Sequence, residues 1–511
     1  MIENVIDEVE LIQREAYIES GYSEAEIEQV LASETANLIA QLRDEVSRFC
    51  RENNIPPEGA ALIEHNLLAK ANANRSTRFQ APEMALELNR AWDLLVEKSG
   101  SGIDRLIDRK PIIASAPTGN INAHALRDVQ GRSAILLETA LLDAIRCVAG
   151  LVGLVIMDQS DGGLNLYLDP LLAVQRLQEN GVAPELDRLF RHLIRQGDFN
   201  MMTTFYGVLK MHTPYREIMV GGALEFVMAH EIAHFARGHD KTFDDGKPFH
   251  RSSTLRSDTA ALSDAEVQRT SEKLIMYGWK YPPDLQQYVN FKVLQTREVE
   301  ADLLGFCILT AGAKKMESQL PLFELRLLGG VMFLWIAEMI ERYIRLFELG
   351  PDDAEHPLFG VDSDLQDMVF RGTHPSAATR LRRLTTNIAH LSNPASVISE
   401  TYRPYAEMLT SGLSRWGKAV AVRVDTLSAI FEEVWQYGLQ VERDRPDCRP
   451  HTSEIAARWK HRLAGFAFLS DDKLLALMAN DHLTQILKNM ELRAEITRFV
   501  DDEEAKHYSQ S

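Results

Sequence analysis

The sequence has few cysteines, and they are not arranged as metal ligands or as a disulfide framework. Only four occur in 511 residues, and they are widely spaced with no Cys-x-x-Cys pair. Neither a thiolate zinc site nor a disulfide-stabilised secreted domain is therefore indicated. The N-terminal residues also lack the basic start and apolar run of a secretory signal. We therefore expect a cytoplasmic protein.

Positive charge is also scarce. The 55 lysines and arginines are outnumbered by 74 aspartates and glutamates, which gives a formal net charge of −19. Surfaces that bind nucleic acid or anionic membranes need clustered Lys and Arg. We therefore expect no nucleic-acid partner. The acidity is interpreted mainly as a source of solubility, and a preference for basic substrates is compatible with it.

Uninterrupted apolar runs of the length that a membrane span needs, about 20 residues, are not found. Two apolar segments could be mistaken for membrane spans. Ala140 to Met157 contains Asp143 and Arg146, and Leu327 to Ile340 is short. We predict that both segments are buried helices and that the chain has no membrane span.

The length predicts more than one domain, because single hydrophobic cores stop growing at about 250–300 residues. Helical periodicity dominates residues 1–110, where Ser23 and Glu26 have capping-box spacing before an apolar stripe. The stripe consists of Ile27, Val30, Leu31, Leu38, Leu42 and Val46. Helical periodicity returns near the C-terminus, most strongly at 426–441 and 471–500. The predicted organisation is an N-terminal helical region at 1–110, a central domain at 111–385 and a C-terminal helical region at 386–511.

Strand signals are clearest just after Pro111. Three short segments, at 111–115, 121–126 and 133–137, are separated by turn residues that include Pro117, Gly119 and Gly131. They predict a small antiparallel sheet. The predicted fold class is therefore α+β and predominantly α-helical. Polar stretches at 240–263 and 350–372 predict exposed loops, and the first could act as a lid.

A helical segment at 223–237 contains the pattern His-Glu-x-x-His, at His230, Glu231 and His234. Residues four apart lie on one face of a helix, so both imidazoles can reach one metal ion while Glu231 faces a water on it. Burying two histidines and a carboxylate is costly unless something binds them. The pattern predicts two zinc ligands and a general base. Histidines without a metal are the alternative.

A catalytic zinc ion normally has three protein ligands and leaves the fourth position for water. In the helical segment at 296–305, Glu298 and Asp302 stand four residues apart on one face, whereas Glu300 points elsewhere. We predict that Glu298 is the third ligand and that Asp302 accepts a hydrogen bond from a ligand histidine. Without the His-Glu-x-x-His motif, an ordinary charged helix face would be the preferred interpretation.

These motifs, together with two strand segments upstream and a T-H-P segment downstream, resemble those of the HtpX and CAAX prenyl protease family of gluzincin zinc metallopeptidases. The resemblance rests on H-E-I-A-H-F-A-R-G-H from His230, E-V-E-A-D from Glu298, I-N-A-H-A-L from Ile121, S-A-I-L-L-E from Ser133 and T-H-P from Thr373. It covers roughly residues 111–383. In this chain, His124 replaces the usual aromatic residue of the family's N-A-F-A strand, and the transmembrane helices of many members are missing.

The resemblance implies a zincin-like core with one Zn2+ per chain, held by His230, His234 and Glu298, and Glu231 as the general base. It also implies that His374 and Arg380 stabilise the negative charge of the transition state. An extended substrate would pair with the strand that follows the N-A-F-A-like segment. That strand consists of Ser133, Ala134, Ile135, Leu136 and Leu137.

The predicted function is that of a zinc-dependent endopeptidase that hydrolyses an intracellular protein or peptide substrate with metal-activated water. We expect the helical flanks to gate the cleft or to bind a regulatory partner or a second copy. The alternatives are a zinc-binding regulatory or interaction protein without proteolysis, a phage-exclusion-type intracellular metallopeptidase, and a membrane-embedded peptidase. Intact Glu231 disfavours the first, the strand and T-H-P motifs disfavour the second, and the short run at 327–340 disfavours the third.

Overall fold

The structure is a computed structural model of the 511-residue chain. It describes residues 4–196 with short gaps, and then 214–237, 297–310, 320–349, 351, 380–384 without 382, and 406–444. The predicted loop at 240–263, nearly all of the loop at 350–372 and the predicted helix at 471–500 lie outside the described residues.

Helices make up most of the described chain, which confirms the predominantly helical α+β class. The first seven are α1 (Val5–Glu19), α2 (Glu24–Glu52), α3 (Pro57–Ala73), α4 (Pro82–Ser99), α5 (Thr139–Ile156), α6 (Pro170–Glu179) and α7 (Val182–Gln196). They are followed by α8 (Pro214–Arg237), the described helical segment α9 (297–310), α10 (Leu320–Leu349) and α11 (Ala406–Asp444).

The N-terminal helix start predicted from the sequence is confirmed. Ser23 is the N-cap of α2. Its side chain accepts a hydrogen bond from the backbone N–H of Glu26, and the Glu26 carboxylate accepts one from the backbone N–H of Ser23. The predicted stripe is buried apart from Val30, which is half-buried. The stripe therefore sets which face of α2 packs against α3 and α4.

The sheet contains β1 (Ile112–Ala116), β2 (Ala123–Arg127) and β3 (Ser133–Glu138) in the spatial order β1-β3-β2. β2 pairs with β3 antiparallel, as predicted, but β1 pairs with β3 in parallel, so the sheet is mixed. The purely antiparallel prediction was wrong because the most apolar strand, β3, takes the centre and separates β1 from β2. A second, two-stranded pairing joins β4 (Met157–Asp158) to β5 (Asn165–Leu166).

The turn between β2 and β3 is organised by one carboxylate. Asp128 accepts hydrogen bonds from the backbone of Gln130 and Arg132 at 2.9 Å and from the Arg132 side chain at 2.7 Å. It also accepts the backbone N–H of Val5 at 3.3 Å, which ties the start of α1 to the hairpin. Gly131 has a φ of 79°, a conformation that favours glycine. The turn thus fixes both the register of β2 and the position of α1.

Glutamine side chains cover the outer edge of β1. Gln13 on α1 donates to the carbonyl of Ser115 at 2.5 Å, and Gln80 donates to the carbonyl of Ile113 at 3.2 Å. Both glutamines are fully buried, and Thr77 holds Gln13 through a 2.7 Å hydrogen bond. This edge is therefore closed to a further strand.

Helix α8 packs closely against α10. A Cβ atom added at Gly222 would collide with the backbone of Arg326, and one added at Gly329 would collide with the carbonyl of Met219. These two glycines let the helix backbones approach each other. Buried Glu225 and Arg326 form an ion pair across the same contact. The helix that carries the predicted metal ligands is thus fixed along its length by α10.

A single hydrophobic cluster includes side chains from α4 through α11. Both predicted helical flanks therefore contribute to the core that surrounds α8, and the domain boundaries at 110 and 385 stay predictions.

A buried polar network also connects α11 to α7 and α10. In it, Arg191 contacts Asp187 at 2.9 Å, Glu442 at 2.6 Å and the carbonyl of Gly438 at 2.8 Å, while Tyr343 donates to Asp187 at 2.7 Å.

Two helices of the described chain, α5 and α8, are long and apolar enough to cross a membrane by length and composition alone. Most of each helix is buried inside the fold. The predictions that Ala140 to Met157 and Leu327 to Ile340 form buried helices are confirmed, since these segments, apart from Met157 in β4, lie in α5 and α10 and are mostly buried.

Candidate metal centre

The centre forms where α8 and α9 cross. A Cβ atom added at Gly305 on α9 would lie 3.1 Å from the backbone nitrogen of His230, tighter than most such contacts. Glycine at this position lets α9 approach the start of the His-Glu-x-x-His motif closely. The faces of the two helices that carry the predicted ligands therefore meet.

The three predicted ligands converge. His230 Nε2 lies 3.1 Å from His234 Nε2. Oε2 of Glu298 lies 3.4 Å from Nε2 of His230, and Oε1 of Glu298 lies 3.6 Å from Nε2 of His234. One ligand atom from each residue falls within 4.8 Å of the other two. The Glu300 carboxylate instead lies 3.3 Å from Nη2 of Arg237. This placement agrees with the prediction that Glu300 points away from the ligands.

This donor set fits a zinc ion. Two imidazole nitrogens and one carboxylate oxygen are a common ligand set of catalytic zinc sites. In addition, the carboxylates of Glu231, Glu298 and Asp302 lie at the site, and among the described residues Arg380 and His124 place positive charge near Glu231. The three carboxylates outnumber these two cations, and a divalent cation would neutralise the excess.

The pKa of His230 indicates the same preference for positive charge. Burial alone would lower the pKa of this imidazole, but hydrogen bonds to Asp302 and Glu298 raise it to about 10. The carboxylates thus stabilise a cation at the point where the ligand nitrogens meet.

A carboxylate behind the ligands orients one of them. Asp302 is fully buried, and its Oδ1 lies 3.0 Å from Nδ1 of His230. Arg380 donates to both oxygens of Asp302, at 2.8 and 2.6 Å. Although burial would raise the pKa of Asp302, Arg380 and His230 lower it. The contact between Asp302 and a ligand histidine was predicted, whereas the clamp by Arg380 was not.

Of the two residues predicted to stabilise the transition state, one is described. Arg380 is buried and directs Nε and Nη2 to Asp302, with Nη2 also 3.9 Å from Glu298. The structure thus places Arg380 behind the ligands, and its predicted contact with substrate stays a prediction. His374 lies outside the described residues.

Glu231 follows His230 on α8 and is buried. Burial raises the pKa of its carboxyl group, while the charges of His230, His124 and Arg380 act in the opposite direction. A carboxyl group with a raised pKa can both accept and release a proton nearer neutral pH, which is what a general base needs.

The prediction that substrate pairs with Ser133 to Leu137 was wrong. These residues form the central strand, which pairs with β1 on one side and β2 on the other, and Ala134 to Leu137 are fully buried. Its near-continuous apolar sequence, S-A-I-L-L-E, was the signal of a strand buried on both faces. In the described sheet, the edge beside α8 is β2, whose residues are all half-buried.

His124, the β2 residue that departs from the N-A-F-A pattern of the resembled family, contacts Glu138. Nε2 of His124 lies 3.2 Å from Oε1 of Glu138, a buried residue at the end of β3. Burial would lower the pKa of His124, but Glu138 raises it, with a smaller contribution from Glu231. His124 therefore joins the two strands through a charge-assisted contact.

Comparison with known proteins agrees with this geometry. Residues 217–388 match the family model described as Peptidase family M48. No curated protein and no solved structure matches the chain significantly. The matched segment includes His230, Glu231, His234, Glu298 and Asp302, and it supports the resemblance to the HtpX and CAAX prenyl protease type. The segment that holds the candidate metal centre is therefore similar to peptidase family M48.

Proposed function

We propose that this protein is a zinc-dependent endopeptidase that hydrolyses a protein or peptide substrate in the cytoplasm. The observation that carries the proposal is the convergence of His230, His234 and Glu298 within 4.8 Å, with Glu231 on the same helix as the two histidines. A zinc-binding scaffold has no need of a buried carboxylate next to its ligands, whereas hydrolysis needs a base there.

His230, His234 and Glu298 would hold the metal. When bound, zinc supplies Lewis acidity, which polarises a carbonyl group and acidifies water. Asp302, 3.0 Å from Nδ1 of His230, would accept the proton on that nitrogen and leave Nε2 as the ligand atom. Arg380 prevents Asp302 from rotating away. These contacts give the His230 ring one orientation, with Nε2 toward His234 and Glu298.

Glu231 would accept a proton from the attacking water and return it to the leaving amine. The raised pKa of its buried carboxyl group favours this return, because a strongly acidic group would accept the proton poorly. His124 and Arg380 limit the rise and keep the carboxylate available as a base.

The substrate would bind as an added strand beside β2. An extended peptide pairs with an exposed sheet edge through backbone hydrogen bonds. The Gln13 and Gln80 side chains cover the β1 edge, and β3 is paired on both sides. β2 also packs beside α8, so a peptide along it would pass the candidate ligands. This arrangement supports cleavage within a chain.

The helical flanks would bind a regulatory partner, bind a second copy or gate the cleft. Removing them is a poor test, because α4 and α11 contribute side chains to the same hydrophobic cluster as α8. Truncation would expose that core and unfold the centre. Full-length protein is therefore the form to assay.

The deciding experiment compares wild-type protein with Glu231→Gln, a change that keeps the size of the side chain and removes the base. Zinc content is measured by elemental analysis and peptide hydrolysis by mass spectrometry. We expect retained zinc and a loss of hydrolysis of about 10²–10⁴-fold. Glu217→Gln, an exposed position on α8, is the control and should behave as wild type. Equal hydrolysis by wild type and Glu231→Gln would contradict the proposal and favour a zinc-binding interaction protein.

A further inference from the structure

We infer that the exposed face of α1 is a docking surface for a basic amphipathic helix of a partner protein. The face consists of Asp7, Leu11, Glu15 and Ile18, called the α1 stripe below. The inference gives a chemistry to the partner proposed for the helical flanks and therefore rests on that part of the proposed function. Binding to the stripe is measured without hydrolysis, so the inference and the peptidase function can fail separately.

The α1 stripe combines helical spacing with exposed apolar side chains. Its members lie on one face of α1, and all are exposed. Leu11 is 42% exposed, Ile18 is 44% exposed, and Tyr22, just beyond the end of α1, is 36% exposed. Nine large hydrophobic side chains are exposed in the described part of the chain, and these three fall within one short segment. Such a concentration is typical of a surface that another molecule covers.

The opposite face of α1 holds the helix in place. Val5 and Val9 are fully buried in a cluster with apolar side chains of β1 and β3. Gln13 donates a hydrogen bond to the carbonyl of Ser115, and the backbone N–H of Val5 donates to Asp128. The α1 stripe therefore belongs to a fixed helix, and a partner would not have to order it on binding.

The two carboxylates of the α1 stripe lack a cationic partner among the described residues. Neither Asp7 nor Glu15 forms an ion pair there, and Asp7 accepts a hydrogen bond from the neutral side chain of Asn4 at 2.8 Å. Arg14, the one basic residue of α1, forms an ion pair with Glu24 at the start of α2. The stripe therefore presents exposed negative charges beside its apolar side chains.

This combination determines the kind of partner that fits. Acidic and apolar side chains alternate along the α1 stripe, so a complementary helix would place apolar side chains on Leu11 and Ile18 and Lys or Arg beside the carboxylates. A second copy would instead bring like charges together, and the same charges repel nucleic acid and anionic membranes. The net charge of −19 would also speed the approach of a basic partner.

The test uses full-length protein and a labelled peptide of about 15 residues, the length of α1, with leucine on one helical face and lysine on the other. Binding is followed by fluorescence anisotropy at low and high salt. We expect Asp7→Asn/Glu15→Gln to weaken binding roughly three- to ten-fold and to reduce its salt dependence. Leu11→Ser/Ile18→Ser should weaken binding about ten-fold or more.

Matched controls lie on neighbouring helices. Asp44→Asn/Glu45→Gln makes the same charge change at exposed positions of α2, and Leu62→Ser removes an exposed leucine from α3. Both variants should bind the peptide as wild type does. A photo-reactive form of the peptide should cross-link to residues 7–22, as located by mass spectrometry. Equal binding by wild type and the two stripe variants, or cross-links confined to other segments, would overturn the inference.

Two further measurements test other occupants. Sedimentation reveals self-association of the wild type, and co-sedimentation with phosphatidylcholine vesicles reveals membrane binding. A dimer that Leu11→Ser/Ile18→Ser abolishes would replace the partner with a second copy, and vesicle binding lost in that variant would replace it with a membrane. Either result would overturn the inference. If Glu231→Gln abolishes hydrolysis but the wild type does not bind the peptide, the peptidase function stands and the docking surface is wrong.

Discussion

Nδ1 of His230 lies 3.0 Å from Oδ1 of Asp302, and Arg380 donates two N–H hydrogen bonds to the same carboxylate. A candidate metal ligand is thus linked to a residue 78 positions beyond Asp302 through one buried side chain. Because an imidazole can bind metal through either nitrogen, this contact decides which one faces His234 and Glu298.

Asp302→Ala should weaken zinc binding and destabilise the fold. Loss of the carboxylate frees the orientation of His230, which typically costs about 10–100-fold in metal affinity. It also leaves the Arg380 guanidinium buried without its bidentate partner, at a cost of about 3–5 kcal/mol. Competition with a chelator and urea denaturation measure the two effects. Wild-type zinc affinity in a folded Asp302→Ala protein would contradict the assignment.

Glu298→Ala should lose zinc, since of the candidate ligands among the described residues His230 and His234 alone would remain. Glu300→Ala is the matched control, because that carboxylate approaches Arg237 and not the histidines. Elemental analysis after dialysis should find zinc in Glu300→Ala and little in Glu298→Ala. The reverse result would mean that the register of α9 is wrong.

Gly222→Ala should destabilise the protein, whereas Gly221→Ala should not. A methyl group at position 222 would collide with the backbone of Arg326 on α10, while one at 221 meets no heavy atom within 4 Å. We expect a loss of roughly 1–3 kcal/mol or more for Gly222→Ala. Gly221→Ala should be neutral or stabilising by about 0.5–1 kcal/mol, since alanine favours helices. Thermal denaturation of the two zinc-loaded variants gives the comparison.

Asp128 should make stability depend on acid pH. Burial would raise the pKa of Asp128, but hydrogen bonds from Arg132, Val5 and Gln130 lower it below its ordinary value. A carboxyl group with a lowered pKa contributes stability above its unfolded pKa of about 3.9 and loses that contribution as the pH falls. Wild type should therefore be more stable than Asp128→Asn near neutral pH, and the difference should shrink below about pH 4. A difference that stays constant down to pH 2 would contradict this.

Local spacing was enough to predict much of the candidate site. His230 and His234 are one helical turn apart, and Glu298 and Asp302 repeat that spacing, so each pair was visible within five consecutive residues. The capping box of Ser23 and Glu26 was visible for the same reason.

The order of the strands was not predictable in this way. Whether β3 is central depends on which side chains close the edges of the sheet, and Gln13 reaches Ser115 across 102 positions. The clamp of Arg380 on Asp302 likewise joins segments 78 residues apart. A single sequence shows neither relationship, because no local periodicity links such distant residues.

The separation between Asp302 and Arg380 bears on when activity can begin during synthesis. The histidines leave the ribosome first, Glu298 and Asp302 follow more than 60 residues later, and the arginine that fixes Asp302 comes after a further 78. A nascent chain that has exposed only α8 has two of the three candidate metal ligands and lacks both Asp302 and Arg380. The candidate metal centre is therefore incomplete until synthesis has passed Arg380, so we expect a nascent chain to gain hydrolytic activity only after that point.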